Sequence, residues 1–292
     1  QLSVAEYGVL QSLLSLSAIF GVFCAALSFF IVKHVSAFAK NKDYSGSARF
    51  ISWIENQINK PLILLFILTL VFTPILKTYL HLENSWGLIA LNLSSIVSII
   101  AIIYASALTA WEKFKLTNIS NIFTAFIKFI LGFLLAFLFG KAHFVTFSIF
   151  FSVIGGWLLM KYFVKKMMPV QIDTQQNEGE NYFDLNEIKK SVLPILIFSL
   201  MMGLITNIDV IAVKNLTTSE IAGHYGGLKM LGSIILFING AIISAIVPRI
   251  YALGWEGKRL NKQLMLIVYS SILTISFFGV LAYFFIPNFI IS

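Results

Sequence analysis

Eight apolar runs, at about 7–32, 61–80, 86–110, 122–140, 144–163, 192–213, 220–248 and 264–290, leave this chain few ways to fold. A hydrocarbon layer about 30 Å thick is crossed by about 20 apolar residues in a helix. Inside that layer the backbone must satisfy its own hydrogen bonds, which leaves helices or a closed barrel. The alternating ten-residue pattern of a barrel is absent. Hydrophobic residues make up 58% of the chain, charged residues 12%, and the mean hydropathy is +0.88. No water-soluble domain buries that much apolar surface, so the expectation is an all-α, polytopic membrane protein of about eight spans.

Lysine and arginine then set the orientation. Sixteen of them fall in one set of loops, from Lys33 to Lys60, at Lys113 and Lys115, from Lys161 to Lys190, and from Arg249 to Lys262. The opposite set holds three: Lys77, Lys141 and Lys214. The richer side is cytoplasmic, which puts residue 1 outside. The net charge of +8 belongs to this asymmetry, not to nucleic-acid binding. A lone Cys24 inside an apolar run excludes an internal disulfide framework. The longest polar stretch, 166–191, reads as a cytoplasmic linker between a first lobe at 1–165 and a second beginning at 192–292. Its later part is either a solvated loop or an interfacial helix with Phe183, Leu185 and Ile188 on the apolar side.

Part of the chain occurs twice. Leu2, Ser3 and Glu6 match Leu216, Thr217 and Glu220, and after one inserted residue Gly8 to Phe38 matches Gly223 to Leu253 without gaps. Eight of those 31 positions are identical, among them Leu13/Leu228, Ile19/Ile234, Ala26/Ala241 and Val32/Val247. Both copies open with S/T-x-x-E, a capping box. Six spans separate the copies, so both cross in the same direction, as a parallel repeat does. The repeat predicts a parent of at least twelve spans in two six-helix lobes, with a helix expected before residue 1.

The segment TNIDVIAVKNLTTSEIAGHYGGLKMLGSIILFINGAIISAIVPRIY at 206–251 resembles the second lobe of polysaccharide flippases, in the multidrug/oligosaccharidyl-lipid/polysaccharide exporter superfamily. The features are N-x-D-V at a helix end, an outer turn with S/T-x-x-E-x-x-G-x-Y, and a helix ending in P-R-I. The resemblance implies two pseudo-symmetric six-helix lobes around a central cavity. It also implies alternating access that moves an undecaprenyl-linked oligosaccharide from the cytoplasmic to the outer leaflet of a bacterial or archaeal cell membrane. Such a head group is anionic and hydrated, so a few basic residues are expected within spans, facing inward.

Lys229 is the leading candidate to hold the diphosphate. It stands 19 residues before Pro248, where the related lipid II flippase has a cavity arginine, and the alternative is an ion pair with Asp209. Asn207 and Asp209 close span six; Asp209 is read as a polar pair stabilising the hairpin, or as a site for a coupling ion, H⁺ or Na⁺. Asn239 is mid-helix and is read as an interhelical hydrogen-bonding residue. Lys128, mid-span, either lines the cavity or snorkels to the cytoplasmic side. Lys33, His34 and Arg249 mark the cytoplasmic entrance, or else set topology and attract anionic lipid. Gly132, Gly155, Gly156, Gly226, Gly227 and Gly232 suit close packing or bending, and Trp86, Trp111 and Trp255 an aromatic belt.

No P-loop or HExxH motif occurs, and no cofactor, metal or enzymatic activity is expected. The competing reading is a multidrug/cation antiporter of the same superfamily, which favours acidic residues within first-lobe spans; none lies in the first five runs. A membrane polysaccharide polymerase or ligase fits less well, because the outer loops are only a few residues long.

Overall fold

The computed structural model describes residues 2–40, 43–167, 192–255 and 262–285, with side chains described outside 240–265, 267 and 282–285. The described residues form nine helices and no strand: α1 (Val4–Phe20), α2 (Val22–Lys40), α3 (Tyr44–Tyr79), α4 (Trp86–Ala110), α5 (Phe114–Phe139), α6 (Ala142–Met167), α7 (Leu193–Leu216), α8 (Ser219–Trp255) and α9 (Lys262–Phe285). Seven stretches are long and apolar enough to cross a membrane, α1 and α2 counting as one course through Gly21. The chain is an all-α, multi-pass membrane protein. The predicted linker falls largely at 168–191, outside the described residues.

Helix α3 departs from expectation. The polar stretch 41–60 reads as a loop, yet from Tyr44 it is helix, continuous with the span that follows. Asp43 starts it, its carboxylate accepting from the Gly46 N–H and the Ser45 hydroxyl at 2.8 Å each. These bonds hold the carboxyl below the usual range for aspartate. The early turns carry Phe50, Ile51 and Ile54 into a core shared with Phe30, Ile31 and Val35 of α2, Ile103, Tyr104 and Leu108 of α4, and Met160 and Val164 of α6. Apolar residues on one face of a helix outweigh the charges on its other face; those charges made the segment look like a loop.

Small residues set the approach of α5 to α6. A methyl added at Gly156 would collide with the Thr124 hydroxyl, and one at Gly155 would lie 2.7 Å from Ile127. Ser120, Ser148 and Ser152 are buried there, and each hydroxyl bonds a carbonyl of its own helix. Such side chains let two backbones come close without leaving polar atoms bare. The opposite side of α5 exposes Phe126, Phe129, Phe133 and Phe137, between 61% and 72%, at helical spacing. A stripe of that kind suits lipid and not water.

The chain divides into two compact units, Gln1–Gly226 and Gly227–Ser292. In the second, Asn239 donates to the Ser276 hydroxyl at 3.1 Å, joining α8 to α9, and Gly279 packs against Ile235. Within the first, the opening turns of α8 meet α1. A methyl on Gly8 would collide with the Ser219 carbonyl and lie 2.6 Å from the Gly223 nitrogen. One on Gly223 would collide with the Val4 carbonyl, and one on Gly226 would lie 2.7 Å from Gln11.

Candidate functional site

The helix starts correct the register of the repeat. Ser3 caps α1, accepting from the Glu6 N–H at 3.3 Å. The equivalent cap of α8 is Thr218, accepting from the Ile221 N–H at 3.4 Å, and not Thr217. The Thr217 hydroxyl instead donates to the Val213 carbonyl at 2.6 Å, finishing α7. The caps therefore differ by 215 residues, the same offset as Gly8 and Gly223, and the inserted residue disappears. Glu6 then corresponds to Ile221, so the two copies do not share a capping carboxylate. At this offset the contacts are reciprocal: Gly8 meets Ser219, the equivalent of Val4, and Gly223 meets Val4 itself. Gln11 meets its own equivalent, Gly226. Contacts of the form i to j and j to i are what a local two-fold relation produces.

Glu6, released from capping duty, ties three turns together at this end. Its carboxylate accepts from the Ala142 N–H at 2.7 Å and pairs with Lys141 at 2.8 Å. Lys141 also reaches Glu83 at 3.4 Å, so the turns before α4 and α6 join the start of α1. Glu6, and then Glu83, hold the Lys141 ammonium above its ordinary pKa. Beside them lies an open cleft of about 390 Å³ whose lining includes His81, Glu83, Asn84, Lys141 and His143. Asn84 and the His143 Nδ1 approach to 3.4 Å. Sequence reasoning assigned Lys141 only to topology. Its partners stand 135 and 58 residues away, and no local pattern announces them. Lys214, also treated as a loop marker, is instead a buried residue, 1% exposed.

The predicted site residues divide between the units. Asn207, on α7, donates to the Gly203 carbonyl and the Thr206 hydroxyl, both at 3.0 Å. Asp209, two residues nearer the end of α7, accepts from the Tyr225 hydroxyl at 2.8 Å, which fastens the α7–α8 hairpin. Tyr225 is the tyrosine of the outer-turn motif, and sequence analysis gave it no role. Lys229 is half-buried on α8, in the second unit. The Asn239 carbonyl oxygen is buried without a hydrogen bond, while its amide reaches Ser276. Lys128 is exposed on α5, one turn from Thr124 and from Gly132, which both meet α6. Lys33 is exposed; His34 is half-buried, its ring stacked on Phe50 at 5.1 Å with its neighbour Phe30 edge-on at 4.6 Å. The side chain of Arg249 lies outside the described residues. Gly132 and Gly226 also make close contacts, whereas Gly227 and Gly232 face open space. Trp86 is exposed as a belt residue would be; Trp111 is stacked on Tyr44 at 4.2 Å and packs on the core. The side chain of Trp255 is outside the described residues.

Glu55 brings an acidic group into the helical part of the first unit. Its carboxylate accepts from the hydroxyl of buried Tyr104, and Lys161 stands 5.6 Å above that tyrosine ring. Among the described residues no group of three or more His, Cys, Asp or Glu is arranged to hold a metal ion. No family model, curated protein or solved structure matches the chain.

Proposed function

We propose that this membrane protein is a transporter that carries an undecaprenyl-diphosphate-linked oligosaccharide from the cytoplasmic to the outer leaflet of a cell membrane, by alternating access. The observation that carries the reading is the reciprocal contact of Gly8 and Gln11 with Ser219, Gly223 and Gly226 at one constant offset. A parallel repeat whose copies touch each other is the architecture in which two lobes rock about a shared path. Lys229 follows three residues after the last of these contacts, on the same helix, where a cation would meet a diphosphate as a point charge. Asp209, held by Tyr225, serves the hairpin in this reading. The lipid tail stays in the bilayer, against apolar faces such as that of α5.

The test is leaflet-to-leaflet transfer of a labelled undecaprenyl-diphosphate oligosaccharide in proteoliposomes, for the wild type and for Lys229→Ala. Transfer that disappears in the variant, with insertion intact, supports both the activity and the lysine. Transfer that survives keeps the activity and removes Lys229 from the site. Absence of transfer by the wild type across several head groups sinks the reading.

A cation antiporter is the second reading, and Glu55 favours it: a carboxylate hydrogen-bonded to a buried tyrosine is the kind of group that takes up a proton or a monovalent cation. Glu55→Gln should then abolish ion-driven drug efflux in vesicles. Under the flippase reading no drug efflux is seen in either protein.

A further inference from the structure

We propose that the cleft beside the Glu6–Lys141–Glu83 tie binds a neutral, polyhydroxylated ligand, a sugar of one or two rings. The cleft holds about 390 Å³, at the small end of the range of about 300–1,000 Å³ in which proteins take small molecules. Four stretches of chain meet around it: the first turns of α1, the turn from α3 to α4, the turn from α5 to α6, and the start of α8 at Ser219. The tie links the first three of these, so the walls are held in place before any ligand arrives. His81 stands on one wall in an unusual conformation. Helix α3 ends in a Schellman turn, the His81 N–H donating to the Thr78 carbonyl at 3.2 Å and the Leu82 N–H to the Lys77 carbonyl at 3.0 Å. His81 therefore occupies the position where glycine is usual, at a φ of 48°. Side chains held in that region against their preference cluster at ligand sites.

The ligand class follows from what the lining has left over. Its charges satisfy one another: one Glu6 oxygen accepts from the Ala142 N–H, the other pairs with Lys141, and Lys141 also faces Glu83. An anion entering here meets two carboxylates. An organic cation finds Lys141 already between them. A metal ion lacks ligands, since among the described residues no three of His, Cys, Asp or Glu are arranged to hold one. The groups still open are the His81 ring, the His143 Nε2 and one amide hydrogen of Asn84, none of them in a hydrogen bond among the described residues. A neutral imidazole offers one donor and one acceptor, and the free Glu83 oxygen adds an acceptor. Hydroxyl groups also donate and accept, so they pair with this lining whichever tautomer each imidazole adopts. Val9, Leu13 and Leu82 supply an apolar wall for the C–H face of a sugar.

The test is saturation-transfer NMR on the protein in nanodiscs, free of sugar detergents, with N-acetylglucosamine, galactose and rhamnose as probes. At least one should show transfer to its ring protons. Ala5→Trp fills the cleft without touching a charge or a hydrogen bond there and should abolish that transfer. His81→Gly removes the imidazole and the backbone strain together. It should hold or raise the unfolding midpoint, so the variant folds, yet weaken sugar binding about fivefold, the size of one hydrogen bond. Absence of transfer from the wild type with all three sugars overturns the proposal. So does transfer that both variants leave unchanged, which is what loose contact with the nanodisc gives. Choline as a fourth probe, bound more tightly than any of the sugars, would overturn it in favour of an organic cation. The sugars carry no lipid, so this outcome is separate from that of the leaflet-transfer assay.

Discussion

At the scale of the residue, Asp43 and Glu112 give the cleanest tests. The carboxyl of Asp43 is lowered in the fold, so its cap contributes fully above the unfolded pKa near 4 and is lost as pH falls through the folded value. Asp43→Ala should cost about 1 kcal/mol at neutral pH, read as a lower unfolding midpoint in detergent. The gap between variant and wild type should close in acid, below about pH 4. Glu112 follows α4 with a left-handed φ of 56°. Glu112→Gly removes the clash of a β-carbon there and should stabilise by up to about 1 kcal/mol in the same assay. Neither feature was legible in the sequence. Asp43 borders a stretch rich in charge, and a left-handed glutamate has no signature of its own. The Glu6–Lys141–Glu83 tie was hidden for a different reason: an ion pair between turns is a property of the packed helices, and a long-range contact leaves no period to find.

At the scale of the element, sequence and structure agree where apolarity is continuous. Helix α4 runs over 86–110 as predicted, because no charged residue interrupts it. They part company at α3, where Arg49, Glu55 and Lys60 broke up a helix of 36 residues. A hydropathy window averages over faces, while the helix separates them. The α5–α6 contact yields a prediction at this scale. Gly156→Leu must push Thr124 aside, and overpacking of this kind should cost about 2 kcal/mol in thermal unfolding. Gly232→Leu, on α8, meets open space and should leave the unfolding midpoint nearly unchanged. A second prediction concerns α1 and α8. In a Cys24→Ala background, Gln11→Cys with Gly226→Cys should cross-link on mild oxidation, because the two β-carbons would start 3.0 Å apart and disulfide geometry asks for about 3.8 Å. If the pair resists every oxidant, the reciprocal contact is not the resting arrangement. If it forms and transfer of the labelled oligosaccharide continues at the wild-type rate, rocking of the two lobes at this point is not part of the cycle.

At the scale of the whole molecule, the contacts of Gly8, Gln11, Gly223 and Gly226 keep the offset of 215 residues that separates the caps Ser3 and Thr218. The S/T-x-x-E pattern reads the second cap at Thr217, one residue out of step, because the fold uses Thr218. The site residues were less legible. Asp209 reads in sequence as a residue that stabilises the hairpin, and the partner that Tyr225 supplies, 16 residues on across a turn, has no local pattern to announce it. The meeting of Gly8 with Gly223 has one more consequence. Main chain meets main chain there, with the Val4 side chain the one addition beside Gly223, so the seam carries little by which one segment could tell the other from itself. If the gene were split and its halves made separately, each would present a notch complementary to its own twin. Homodimers of the halves, competing with the correct reunion, are the failure that self-complementary surfaces invite.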